Sequence, residues 1–208
     1  MTNDDDSLID IQITPSKFPS DFAGQRLFVQ GDDWQHNAML GWTLFPADLY
    51  AIGYKDAADG LLQAIVERKA SLDSAIYPLV FLYRQALELQ LKLMLPLARR
   101  LSGEEPLDDH RHELMPLWRT LRRLLEKLDP RPDDEELPAM DSFIQQFQDV
   151  DPISFAFRYS TDKKGALSLP DLQHINVRHL SEVLDSVFLM LSGIYSWLDE
   201  MEQNPPYN

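Results

Sequence analysis

The sequence contains no cysteine, which excludes disulfide bonds, thiolate metal ligands and cysteine nucleophiles. It is also poor in basic residues, with 19 lysines and arginines against 34 aspartates and glutamates and a formal net charge of −15. Because phosphate contacts need clustered basic side chains, this balance argues against a broad nucleic-acid-binding face. A local basic site stays open, and the densest local group comprises Arg119, Arg122, Arg123 and Lys127.

Long hydrophobic runs are missing as well. The longest uncharged apolar run, residues 76–83, ends at Arg84 and is far shorter than the roughly 20 residues that span a bilayer. The first residues, MTNDDDSLID, have neither the basic region nor the apolar run of a signal peptide. We therefore expect no membrane contact and a cytoplasmic location.

What the chain does contain is material for a helical core. Hydrophobic residues make up 44% of the sequence and aromatic residues 10%, which is enough for one well-packed domain. Apolar residues recur at helical spacing, most regularly in residues 114–128. The sequence predicts an all-α bundle of about five helices. The predicted helices cover residues 46–70, 78–101, 114–128, 140–150 and 170–202 of a single domain at 46–202, followed by a tail at 203–208.

Residues 1–45 show neither helical nor strand periodicity. Their aromatic side chains are separated by glycines and prolines, which are typical turn residues. We predict an irregular, aromatic-rich arm that packs on the bundle, with a partner-binding segment as the alternative. The aromatic residues concerned are Phe18, Phe22, Phe28, Trp34, Trp42 and Phe45.

One further segment does not have helical spacing. After Asp151-Pro152, which should stop the fourth helix, residues 153–165 alternate large apolar side chains with small or charged ones. This alternation predicts one short, half-buried extended segment that ends in a turn. A single extended segment cannot form a sheet.

The most apolar helix, residues 77–101, carries three charges at intervals of four: Arg84, Glu88 and Lys92. Residues at this spacing share a helix face, so Glu88 can pair with both cations. Such pairing is needed in a buried helix, because an unpaired charge there is costly. Two readings remain open: a polar seam that fixes the register of packed helices, within a dimer, or a site that faces a ligand or phosphate. We favour the first.

Two histidines lie directly before the third helix. In the sequence DDHRHE, an aspartate can cap that helix, while His110 and His112 are suited to general acid or base chemistry near neutral pH. One His-x-His without further histidine or cysteine is weak evidence for a metal. We therefore predict no metal and no cofactor.

Arg158 and Tyr159, with Lys163, form a cation-bearing turn after the apolar alternation. Arg158 interrupts aromatic residues and should have a partner, such as Glu88 or an acidic residue of a loop. An anion- or ligand-binding site could therefore combine Arg84, Glu88, Lys92, Tyr159 and Lys163.

Two further clusters carry weaker signals. His174 and Arg178 share a face near the start of the last helix, next to His179, and surface solvation is the default for them. A small-ligand site among Tyr50, Tyr54, Trp118 and Arg84 cannot be separated from core packing by sequence.

Three stretches, FLYRQALELQLKLML, HRHELMPLW and FRYSTDKKG, together resemble prokaryotic HEPN-like proteins. The resemblance implies a small helical bundle, often homodimeric, of the kind found in toxin–antitoxin, abortive-infection and other defence systems. Active members share an arginine, four to six residues and then a histidine, which cleave RNA without metal across a dimer interface. No arginine of this chain has a histidine at that spacing, so no catalytic residue carries over.

Two functions follow as hypotheses. The first is a HEPN-like, non-catalytic interaction or accessory protein, homodimeric and with a protein partner, in a bacterial defence or stress response. The alternative is a metal-independent endoribonuclease with a site made from Arg84, His110 or His112, and Arg158. RNA is a partner only under the alternative.

Overall fold

The computed structural model describes residues 18–40, 46–105, 111–130 and 135–204. The chain divides into two compact units, Met1–Leu44 and Phe45–Asn208. Of the residues singled out above, Trp42, Phe45 and His110 lie outside the described residues.

In the first unit, residues 18–40 form two short 3-10 helices, Pro19–Phe22 and Trp34–His36, joined by irregular backbone. The lack of regular periodicity therefore corresponds to an irregular segment. Its large apolar side chains are exposed: Phe18, Phe22, Leu27, Phe28, Val29, Trp34, Met39 and Leu40. Packing of this arm on the bundle stays a prediction.

The second unit is an all-α bundle, which confirms the predicted fold class. Its helices are α1 (Pro46–Val66), α2 (Leu72–Leu101), α3 (Leu114–Leu128), α4 (Glu136–Val150) and α5 (Val177–Gln203). No β-strand occurs among the residues that the structure describes.

Helix α2 is the centre of this bundle. It packs against α1, α3 and α5, while α4 packs on α3. Its most apolar positions, including Leu79, Leu87, Leu91 and Met94, are fully buried in the core of the single chain. Neighbouring helices of the same chain therefore cover α2, so its hydrophobicity does not require a second subunit.

Helix α2 begins at Leu72, so the predicted start of this helix at Pro78 is wrong. Pro78 and Pro96 both lie inside the helix. Each proline removes one main-chain donor, but the residues beside them, such as Ala75, Leu79 and Leu95, are buried against other helices. Tertiary packing outweighs the local cost, which sequence spacing does not show.

Helix α5 is shorter than predicted, because it begins at Val177 and not near residue 170. The Asn176 side chain accepts a hydrogen bond from the main-chain N–H of His179 at 3.1 Å, which is the typical contact of an N-cap. Residues 170–176 are irregular.

The predicted extended segment at 153–165 is wrong. Asp151 Oδ1 accepts hydrogen bonds from the main-chain N–H groups of Phe155, at 2.6 Å, and Ala156, at 3.0 Å, and these bonds curl the chain into turns. Ala156 and Phe157 are adjacent yet both buried, whereas successive strand residues point to opposite faces. Extended pairing is confined to one isolated bridge between Thr161 and Leu167.

Candidate functional site

Arg84 lies in the middle of α2, and its side chain is 0% exposed. Its Nε donates to the main-chain carbonyl of Asp151 at 3.0 Å, and Nη1 donates to Glu88 Oε2 at 3.2 Å. Nη2 donates to the carbonyl of His112 at 2.9 Å and more weakly to that of Pro152 at 3.4 Å. The guanidinium thus joins α2 to the segment before α3 and to the turn after α4.

Burial is the main influence on the Arg84 charge, and it lowers the pKa of the guanidinium because water no longer solvates it. The carboxylates of Asp151 and Glu88 oppose this change, while the positive charge of Arg158 adds to it. Arginine starts from so high a pKa that the group stays protonated at neutral pH. Its charge is therefore balanced by neighbours and not by solvent.

Glu88 is the acidic partner at the centre of this group, with a side chain only 1% exposed. Its Oε2 accepts from Arg84, while its Oε1 accepts from Lys92 Nζ at 2.9 Å. Glu88 therefore pairs with Arg84 and with Lys92, as the spacing of four residues indicates. Both carboxylate oxygens are engaged.

His112 also contacts this carboxylate, because its Nδ1 lies 2.9 Å from Glu88 Oε1. The imidazole is mostly exposed, with a side-chain exposure of 66%. An ionised Glu88 selects the tautomer with the proton on Nδ1, so proton exchange with a bound molecule would use Nε2. A buried carboxylate that orients an exposed imidazole is an arrangement suited to acid or base chemistry.

Arg158 is exposed and belongs to the turn that follows α4. Its Nε donates to the Ser154 carbonyl at 2.7 Å, and its guanidinium lies over the rings of Phe81, at 5.5 Å, and Tyr159, at 5.4 Å. Tyr159 in turn stacks on Phe155 with ring centroids 4.7 Å apart. Aromatic faces and a carbonyl hold this cation, as expected of arginine.

Arg158 does not pair with Glu88, and no carboxylate among the described residues pairs with it either. Residues 131–134 of the acidic loop lie outside the described residues, so a partner there stays a prediction. Sequence spacing does not show which aromatic face a guanidinium can reach after a turn. Its Nε is held by a main-chain carbonyl instead.

The predicted site residues are brought together only in part. Arg84, Glu88, Lys92 and His112 form one connected group, and Arg158 lies near enough for its charge to act on Arg84. Lys163 is exposed in a separate turn and makes no ion pair with a described residue. Since the Arg84 side chain is 0% exposed and each of its three nitrogens already has a protein acceptor, this guanidinium is not placed to bind an anion from solution.

The residues of the predicted aromatic ligand cluster do not come together. Trp118 is fully buried, and its Nε1 donates to Asp141 Oδ1 at 2.7 Å, whereas Tyr50 is 62% exposed. The proposed aromatic ligand site of Tyr50, Tyr54, Trp118 and Arg84 is therefore not one surface. His174 and His179 lie beside an apolar cavity of about 270 Å³ between α4 and α5.

The basic patch of α3 is largely neutralised. Arg123 donates to both carboxylate oxygens of Glu104, at 2.7 and 2.8 Å, and Lys127 Nζ lies 3.6 Å from the same group. Arg122 pairs with Glu126 and Asp141. The Arg123 hydrogen bonds are the main reason that the pKa of Glu104 falls to about 2. This helix therefore presents few unpaired cations to a nucleic acid.

Sequence reasoning missed Asp151, because Asp151-Pro152 predicts no more than the end of a helix; the residue is 1% exposed. Its carbonyl accepts from Arg84, its Oδ1 organises the next turn, and its Oδ2 lies 3.7 Å from Arg84 Nε. The sequence signal for it is the arginine in the most apolar helix. Because Glu88 is shared with Lys92, a buried Arg84 calls for a second acidic neighbour.

No protein-family model, curated protein or solved structure was found to match the chain, so the HEPN-like resemblance stays a prediction. None of the helices in the described ranges has the length and apolarity required to cross a bilayer. Within the same ranges, no group of three or more histidine, cysteine, aspartate and glutamate side chains is arranged to hold a metal ion.

Proposed function

We propose that the protein is a non-catalytic interaction protein of the HEPN-like kind, homodimeric, and active in a bacterial defence or stress response. The observation that carries the proposal is that each side-chain nitrogen of the buried Arg84 has an acceptor within its own chain. Its donors hold main-chain carbonyls of two other segments and the carboxylate of Glu88. The charged centre of α2 thus acts as a lock between helices of one chain.

Exposed apolar side chains support an interaction role. Ile52 of α1 is 55% exposed and Leu189 of α5 is 76% exposed, and both line the same groove. Single exposed apolar residues are ordinary, but apolar residues that share a concave surface favour binding of another molecule.

The homodimer rests on the HEPN-like resemblance, since α2 itself is covered by its own chain. Light scattering at micromolar protein concentration tests it. We expect a mass twice the 24.0 kDa of one chain. A monomer at that concentration would contradict the homodimer and leave the interaction role to be judged by partner binding.

The absence of catalysis is tested with RNA. We expect wild-type protein and His112→Ala to degrade a labelled RNA no faster than buffer does. Specific cleavage by the wild-type protein would overturn the non-catalytic role.

One observation favours a second candidate, a metal-independent ribonuclease. Glu88 orients the exposed imidazole of His112, and the exposed guanidinium of Arg158 could bind a phosphate. This function predicts RNA cleavage that resists chelators and is lost in His112→Ala. His179→Ala, which removes another exposed histidine, is the matched control. Equal activity in all three proteins would identify a contaminant and exclude the ribonuclease.

A further inference from the structure

A groove of about 550 Å³ runs between α1 and α5. Residues of α2, including Gln90 and Leu93, line its floor. Both outer helices pack on α2, so the groove walls belong to elements that the core already holds in place. Such a groove between two helices is a recurrent docking surface for a third helix.

The walls of the groove carry exposed apolar side chains. Ile52 projects from α1 and Leu189 from α5, with exposures of 55% and 76%. Phe188 and Ala51 lie deeper in the same groove and are buried. A helix seated between the walls would cover Ile52 and Leu189 from water, and burial of such side chains drives association.

The groove is also acidic. Its lining includes four aspartates, Asp48, Asp56, Asp59 and Asp185, but among the described lining residues the single cation is Lys55. Two of these aspartates, Asp56 and Asp185, are exposed.

Lys55 offsets only part of this negative charge, because it is one cation beside four aspartates. Its Nζ lies 2.8 and 2.7 Å from the two carboxylate oxygens of Asp59 and 3.6 Å from Asp185 Oδ1. It also lies over the Phe188 ring at 5.2 Å. Its closest contacts are with Asp59, which leaves Asp56 and Asp48 without this cation. Burial raises the pKa of Tyr195 in the groove wall, and the negative charge of Asp48 raises this pKa further. The second effect is expected in an acidic groove.

We propose that this groove binds an amphipathic helix of a protein partner, with apolar residues that contact Ile52 and Leu189 and basic residues that face Asp56 and Asp185. The inference rests on the proposed interaction role and names the partner chemistry. Charge complementarity decides the occupant. A second copy of this chain would bring the same aspartates to the groove, and like charges at an interface disfavour that pairing.

The test uses the full chain and two labelled peptides of about five helical turns. One has leucine on one face and lysine on the other, and its matched control has glutamate in place of each lysine. Fluorescence anisotropy should show saturable binding of the lysine peptide and none of the glutamate peptide. Binding of neither peptide would overturn the proposal without affecting the RNA and light-scattering tests of the proposed function.

Variants separate groove binding from attraction to an acidic protein. Asp56→Asn with Asp185→Asn should weaken the lysine peptide about tenfold, as expected for charges that contact the ligand. Asp149→Asn with Asp171→Asn removes the same charge from exposed positions elsewhere and should change the affinity less than about twofold. Equal weakening by both pairs would mean nonspecific attraction and would overturn the proposal.

The apolar contact is tested by Ile52→Ser with Leu189→Ser. Both side chains are exposed, so circular dichroism should show an unchanged fold while peptide affinity falls about tenfold. Unchanged affinity would contradict the groove. If the same double variant instead converts a wild-type dimer to a monomer, the groove is an interface between copies, and the proposed partner helix is wrong.

Discussion

The guanidinium of Arg84 donates from Nε to the carbonyl of Asp151 at 3.0 Å, although the two residues are 67 positions apart in the chain. The bond is buried and joins the central helix α2 to the end of α4. The carboxylate of the same aspartate shapes the next turn through Phe155 and Ala156. Asp151 thus couples helix packing, through its carbonyl, to the geometry of the turn that holds Arg158, through its carboxylate.

Removal of Arg84 should destabilise the bundle strongly. We expect Arg84→Met to lower the free energy of unfolding by about 3–5 kcal/mol, because Asp151 would be left buried without a cation and Glu88 would keep Lys92 but lose its buried partner. Urea denaturation followed by circular dichroism measures the change. Arg158→Met, which removes an exposed arginine held over aromatic rings, is the control and should cost less than about 1 kcal/mol. Equal effects would contradict the role of Arg84 as a lock.

Asp151 can be divided into its hydrogen-bonding and charged roles. Asp151→Ala leaves the N–H groups of Phe155 and Ala156 without their acceptor and should cost about 1–3 kcal/mol from this loss alone. Asp151→Asn keeps an Oδ1 acceptor but removes the charge beside Arg84. We expect the Asn variant to be the more stable of the two in urea denaturation. An Asn variant as unstable as the Ala variant would show that the charge, not the turn, dominates.

Ser154 has a left-handed backbone, with φ of 60°, and its buried hydroxyl has no hydrogen-bond partner among the described residues. A side chain in this conformation costs about 1–2 kcal/mol, and glycine avoids that cost. Ser154→Gly should therefore raise the free energy of unfolding. The gain should not exceed about 1 kcal/mol, because glycine also makes the unfolded chain more flexible and this opposes folding. Ser154→Ala removes the hydroxyl but keeps the strain, and greater stability in this variant than in Ser154→Gly would contradict the argument.

The ion pair between Glu104 and Arg123 predicts a specific dependence of stability on pH. The pKa of Glu104 in the folded protein is about 2, below its ordinary value of 4.5, chiefly because Arg123 donates to it. The unfolded chain therefore binds a proton first as the pH falls, so the stabilisation is complete above about pH 4.5 and is lost toward pH 2. The difference in urea midpoint between wild type and Glu104→Gln should shrink over this range. Glu105→Gln controls for the loss of one negative charge, and a constant difference down to pH 2 would contradict the pairing.

Much of the bundle was predictable because its signals are local. The leucines of α3 recur at the spacing of one helix face, and the structure has α3 at Leu114–Leu128, as predicted. The pairing of Glu88 with Arg84 and Lys92 was predictable for the same reason, since residues four apart on a helix are neighbours whatever the rest of the chain does.

The errors lie where particular side-chain and packing contacts, which periodicity does not report, decide the local conformation. Residues 153–165 alternate as in a strand. The Asp151 side chain nevertheless accepts hydrogen bonds from the main-chain N–H groups of Phe155 and Ala156, and the segment forms turns. Helix α2 continues through Pro78 because surrounding helices bury its neighbours. Periodicity reports which residues are apolar, but it does not report which carbonyl or helix lies beside them.

The sequence by itself determined the helical class, the amphipathic faces and the pairing within α2, because each follows from spacing along one helix. Only the tertiary structure decided that Arg84 binds the carbonyls of His112 and Asp151 and that Glu88 orients His112. It also decided that the apolar and acidic residues of α1 and α5 share one groove. These relationships join residues far apart in the chain, so packing of the whole bundle had to bring them together.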